Sequence, residues 1–274
     1  MKISFNIIIV LTFFLFITSC KKKSKEMKIT ESNYLKADDK IWKDYDARTS
    51  KIDKLKSTNK DSIRQLYKIL IENSDKQNIE TAIKYANTKS GFKRIYMLRN
   101  EIDKSVLLKT YNGIQKALRD SKYGKSIKSF IESKQVTKGS KFYDFKVVNL
   151  EGENLLLSNL IKRKNILLIY GGLKCIRAEG RKRLEELYNN TRNSNLEFIV
   201  FEPSTDLSDL KIQAKRFKSN YVFISDFLLD HSPMKINYAV QTLPTSFLID
   251  ENGIIIKTTE GIPDKEIKKL FIKK

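Results

Sequence analysis

Sulfur and imidazole are scarce in this chain: two cysteines, Cys20 and Cys175, and one histidine, His231, in 274 residues. With so few thiols a disulfide-stapled scaffold is excluded. Zinc centres want four N or S ligands, or three and a water. One histidine in the polar stretch "DHSP" and one cysteine outside the N-terminal segment argue against such a site, and no metal or other cofactor is expected. Glycine is sparse too, at 10 residues, and no glycine-rich phosphate loop is present. There is no internal repeat, and low complexity is confined to one lysine-rich tether. Acidic residues are outnumbered, 32 against 53 basic ones, for a formal charge of +21.

The N-terminus gives that charge a context. A lysine at position 2, the apolar run "IIIVLTFFLFI" and then "ITSC" read as an export signal, not a spanning helix. The cysteine after the cut resembles a bacterial lipobox, which implies a signal over 1–19 and lipidation of Cys20, with membrane lipid as its partner. A basic balance often signals nucleic acid. An exported chain does not meet the chromosome, so no nucleic-acid partner is expected. The excess lysine reads as a solvated surface, and Lys21, Lys22 and Lys23 as contacts to anionic headgroups. The expected location is the bacterial envelope, anchored to a membrane and facing the periplasm.

Residues 20–60 read as a basic tether followed by a first helix carrying Ile41, Trp42 and Tyr45. Residues 61–135 repeat apolar positions at three- and four-residue spacing: Ile63, Leu66, Tyr67, Leu70 and Ile71, then Ile79, Ala82, Ile83 and Ala86, then Phe92, Ile95 and Tyr96. Ser74-Asp75, Ser90-Gly91 and Ser121 with Gly124 punctuate them. A small all-helical domain with apolar stripes for a core is expected there. The pattern changes at 139. "NILLIY" and "LEFIVF" suit strands buried on both faces, and "TSFLID" with "IIIKT" a hairpin across Asn252-Gly253. The fold class is α/β: a mixed sheet flanked by helices over 139–274.

In this second part "FYDFKVVNLEGENLLLSNL", "NILLIYGGLKC" and "YAVQTLPTSFLIDENG" occur in order. They resemble the N-terminal hairpin, the active-site strand and loop, and the proline loop of thioredoxin-like domains. The likeness is to lipoproteins of the TlpA-type thiol–disulfide oxidoreductase and peroxiredoxin-like (AhpC/TSA) superfamily, of the Bacteroidetes kind. It implies that Cys175 is the attacking thiol and that Leu243–Pro244 is a cis peptide facing it. Leu243 and Thr245 would contact substrate. Lys174 and Arg177 would favour the thiolate, as would a helix N-terminus.

Departures from the family are as informative. Its second cysteine is replaced by Ala178, or by Ile176 in a shifted alignment, and thioredoxin's buried strand carboxylate by Ile169. Without a resolving thiol a mixed disulfide must wait for an external one. Three readings stand: a monothiol oxidoreductase acting on envelope protein thiols or disulfides with an external reductant, a redox-inactive binding or scaffold module, and a one-cysteine peroxidase. Peroxiredoxins carry threonine or serine three residues before the cysteine. Gly172 occupies that place.

Overall fold

The computed structural model describes residues 28–55, 60–172, 176, 178–217 and 220–272. The expected export signal, Cys20 and the lysine run lie outside them. Among the described residues no helix is long and apolar enough to cross a membrane.

Six helices come first: α1 (Glu31–Asp53), α2 (Lys60–Lys84), α3 (Lys89–Leu98), α4 (Lys104–Asn112), α5 (Lys116–Arg119) and α6 (Lys122–Glu132). Short polar side chains start several of them. Thr30, Thr88, Asp103 and Ser121 accept hydrogen bonds from the free amides of the first turns, the usual means of satisfying those donors. Phe92, Ile95, Leu107 and Ile127 are buried at the centre of this region's core. Helix α1 packs against it through Tyr34 on Tyr85 and an Arg94–Asp38 ion pair of 2.9 Å.

Helix α1, from Glu31, contains the expected Ile41, Trp42 and Tyr45. Two expectations need correction here. Ser74-Asp75 does not end a helix: α2 runs through it, with Ser74 buried and its carbonyl accepting from the Asn78 side chain at 3.1 Å. Propensity is a weak prior that packing overrides. The first apolar stripe of α2 is also largely not core. Leu70 is buried, whereas Leu66 and Ile71 are 40% and 45% exposed. That half of α2 pairs with α1, where Tyr67 donates to Asp53. Two helices side by side cover one edge of a stripe and leave the rest to water.

The second part builds the sheet. Its elements are β1 (Lys146–Asn149), β2 (Asn154–Leu156), α7 (Leu157–Ile161), β3 (Asn165–Tyr170), α8 (Ala178–Thr191), β4 (Leu196–Phe201), α9 (Leu207–Ala214), β5 (Val222–Ser225), α10 (Pro233–Ile236), β6 (Thr245–Ile249), β7 (Ile255–Glu260) and α11 (Asp264–Phe271). A single 3₁₀ turn, Leu229–His231, precedes α10, and His231 is exposed on it. Among the described residues seven strands form one sheet in the order β2-β1-β5-β4-β3-β6-β7. Strand β3 runs parallel to β4 and antiparallel to β6; β4 and β5 are parallel, and β6 and β7 form the expected hairpin.

The apolar run of β3 follows from its central place. Successive side chains alternate between faces. Ile166, Leu168 and Tyr170 enter the core shared with Phe145, Phe201, Met234 and Tyr238. Leu167 and Ile169 enter the opposite core, with Leu184 and Leu187 of α8 and Ile267 of α11. All five are at most 1% exposed. Each such side chain contributes roughly 1.5–3 kcal/mol by leaving water, and the result is a rigid strand aimed at the loop that follows it.

Candidate active site

Strand β3 ends at Tyr170 and runs into Gly171 and Gly172. Cys175, Lys174 and Arg177 lie outside the described residues. Their flanks are described. The Ile176 amide donates to the Gly172 carbonyl at 3.2 Å, and the Arg181 guanidinium to the Ile176 carbonyl at 3.0 Å. Helix α8 then opens at Ala178. The two positions at which the sequence lacks a second cysteine are therefore the helix start, Ala178, and a half-buried Ile176 packed on the core.

Facing this turn is the loop before β6. The Leu243–Pro244 peptide is cis, as the family resemblance implies. The Thr245 hydroxyl donates to the Thr242 carbonyl at 2.8 Å, and the Gly261 amide to the Pro244 carbonyl at 2.8 Å. Thr245 is buried, whereas Leu243 is 45% exposed. Of these two residues Leu243 is exposed to solvent, and the Thr245 hydroxyl is hydrogen-bonded within the loop.

The turn and the loop touch at Gly172. Its φ is +72°, and a Cβ placed on it would lie 2.6 Å from the Pro244 nitrogen and 2.8 Å from the Leu243 carbonyl carbon. Both features demand glycine: the left-handed backbone disfavours any side chain, and the proline peptide fills the space one would need. Three residues before Cys175 in sequence, the turn after β3 thus lies directly on the cis-proline peptide.

Beneath the turn sits a cluster that sequence reasoning missed. The Lys235 ammonium lies 5.3 Å from the centre of the buried Tyr170 ring. Burial, then the nearby Arg99 guanidinium, depresses the Lys235 pKa. Burial pushes the Tyr170 hydroxyl up, helped by Asp226. Asp226 accepts from the Ser232 hydroxyl at 2.6 Å, and burial raises its carboxyl pKa above the usual range. These residues stand on β3, on the loop after β5 and on α10, far apart in sequence. No motif announced them.

The strand order, the double-faced central strand and the proline loop lying on the turn after it make the second part of the chain thioredoxin-like in fold, and it resembles the TlpA-type thiol–disulfide oxidoreductases. No family model matches the chain. Among curated proteins it is similar to the thiol-disulfide oxidoreductase ResA of Bacillus anthracis, 29% identical over 147 residues, which is 53% of this chain and 82% of the relative. ResA of Geobacillus thermodenitrificans is 28% identical over 139 residues, covering 50% of this chain and 77% of that one. Among solved structures, a thiol-disulfide oxidoreductase from Bacteroides fragilis superposes with a TM-score of 0.43 and 21% identity, over 48% of this chain and 99% of its own. Among the described residues no group of three or more His, Cys, Asp or Glu side chains is arranged to hold a metal.

Proposed function

We propose that the protein is a membrane-anchored, monothiol thiol–disulfide oxidoreductase working through Cys175. The observation that carries this reading is the seat of Gly172 on the cis Leu243–Pro244 peptide, which ties the turn leading to Cys175 to the loop that would receive a substrate chain. The Cys175 thiolate attacks one sulfur of a substrate disulfide. A new S–S bond forms, and the other sulfur leaves as a thiolate and takes up a proton. An external thiolate then attacks the Cys175 sulfur of the mixed disulfide and releases the substrate's second thiolate. A second external thiolate attacks the resulting Cys175–external disulfide, releasing the Cys175 thiolate and an external disulfide, so that the two external thiols supply both electrons. Lys174 and Arg177 favour the Cys175 anion. Leu243 offers its backbone and an exposed side chain to the substrate. In this proposal Cys20 carries the lipid, residues 61–135 and 139–274 are separate domains, and the substrates and redox partners are envelope protein thiols and disulfides.

The lack of a second sulfur beside Cys175 also favours a redox-inactive binding module. Peroxide chemistry has less support. The threonine or serine that peroxiredoxins place three residues before the cysteine has no room at Gly172, because Pro244 occupies it.

The test is the alkylation rate of Cys175 against pH, together with trapping of partners. The oxidoreductase reading expects a midpoint well below about 8.5, the value of an ordinary thiol. It also expects disulfide-linked partners that disappear with Cys175→Ser. An ordinary midpoint, or the same partners captured by the serine variant, leaves the binding module.

A further inference from the structure

The six-helix region makes a run of hydrogen bonds to residues 230–241 of the sheet region, a stretch that leads into the cis-proline loop. Tyr96 donates its hydroxyl to Asp230 at 2.6 Å, and Ser126 donates to the Asp230 carbonyl at 2.9 Å. Gln135 donates to the Ile236 carbonyl at 3.1 Å. Arg99 donates to the Lys235 carbonyl at 3.0 Å and to the Gln241 side-chain oxygen at 3.2 Å. The next residue, Asn100, donates to the Ala239 carbonyl.

Two of these contacts are out of the ordinary. Arg99 is completely buried, stacked 4.4 Å from the centre of the Tyr96 ring and 5.5 Å from that of Phe130. A guanidinium taken wholly out of water is costly unless its N–H groups are used. Here Nη1 and Nη2 reach across the boundary, Nη1 also donates to the Tyr96 carbonyl of its own region at 2.6 Å, and Nε is left without a partner among the described residues. Ala239 adopts φ +55°. A residue with a Cβ avoids that left-handed conformation unless its surroundings hold it there. What surrounds Ala239 is the helical region: its side chain packs against that region's core, and Asn100 takes its carbonyl. Between this kink and the cis peptide lie Val240, Gln241 and Thr242, and Gln241 is the Arg99 acceptor.

We infer that Arg99 and Asn100 are positioning residues for the proposed redox site: through Gln241 and the Ala239 kink, the helical region sets where the Leu243–Pro244 loop stands against Gly172. Neither residue touches the reacting sulfur. Their effect on chemistry rests on the function proposed above; their effect on the loop does not.

The test uses the full chain with Asn100→Ala, a substitution at an exposed position, and Arg99→Lys, which keeps the charge and loses the fork. Amide hydrogen exchange is followed at Val240–Ser246 and, as a reference, at Ile166–Tyr170. Cys175 is challenged with iodoacetamide and with an oxidised dipeptide disulfide. Exchange in Val240–Ser246 is expected to speed up about tenfold in Asn100→Ala, with the reference strand unchanged, because only the loop loses its support. The rate with the peptide disulfide is expected to fall about tenfold, while the iodoacetamide rate stays within about twofold, since a small alkylator needs no docking loop. Arg99→Lys is expected to act in the same direction. Unchanged exchange in the loop, or equal acceleration in loop and strand, overturns the inference. If the wild-type protein forms no mixed disulfide with the peptide, the proposed function fails, and the exchange result alone decides the positioning role.

Discussion

The helical region and the sheet region use apolar residues in opposite ways. In the sheet region Ile166–Tyr170 is buried without a break, because a central strand is covered on both faces. In the helical region the stripe Ile63–Ile71 is half wasted: Leu70 is covered, while Leu66, Ile69 and Ile71 stay 40–51% exposed. A sheet presents two faces that helices cover in a fixed way. A helix pair has a flank for every neighbour it lacks. Apolar pattern therefore reports burial faithfully for a central strand, and for a helix only that a partner is possible.

That contrast can be tested by substitution, beginning with the largest effect. Leu168→Ala, in the middle of β3, should cost about 4 kcal/mol, as large-to-small changes in a collapsed core do. Denaturant unfolding measures it, and a loss under about 1 kcal/mol would mean that the strand is less enclosed than described. Gly172→Ala should cost about 3 kcal/mol through its left-handed φ and its collision with Pro244, and should also slow the reaction of Cys175 with a peptide disulfide. The same exchange in the helical region, Gly113→Ala, should stabilise by about 0.4–1 kcal/mol. Gly113 has φ −83°, and the nearest atom to an added Cβ is a carbonyl oxygen at 3.5 Å. A loss there would sink the idea that the two glycines differ in kind.

Where the regions meet, pH should have a smaller effect. Partial desolvation, then Asp75 of α2 and Glu260 of β7, raises the pKa of the solvent-exposed Glu101 above its ordinary 4.5. A raised carboxyl penalises folding where the folded protein must give up its proton. The penalty is absent below the ordinary value, sets in as pH rises past it and is complete above the raised one. Glu101→Gln should thus raise the melting temperature slightly at pH 7 and leave it unchanged at pH 4. Equal gains at both pH values would point to packing and not charge. The smallest effect belongs to Leu66→Ala, expected within about 0.5 kcal/mol as an exposed change.

Much of the sheet region was legible beforehand. The buried strands, the Asn252-Gly253 hairpin and the start of the last helix near Pro263 each have a local signal, and all are present. The cis peptide followed from likeness to a family, not from residues alone. Helix ends were less readable: polar residues such as Ser74 and Asp75 end some helices and continue others, and neighbours decide which. The candidate site divided in the same way. Cys175 and Pro244 could be named from motif order. Arg99, Asn100, Lys235 and Asp226 could not, since an arginine or asparagine at a helix end is ordinary until its partner is known.

By itself the sequence determined the alternation of apolar and polar residues, and with it a two-faced central strand, a preceding helical region and a second part that carries Cys175 as its one cysteine. Those are local or compositional properties, set by which side chains avoid water and which atoms are present at all. Tertiary structure alone decided that Gly172 rests on Pro244, that Arg99 is buried between the regions and that Ala239 is held in a left-handed bend. Each of these joins residues roughly 70 to 140 positions apart, and no local preference acts over such a separation until the chain has packed.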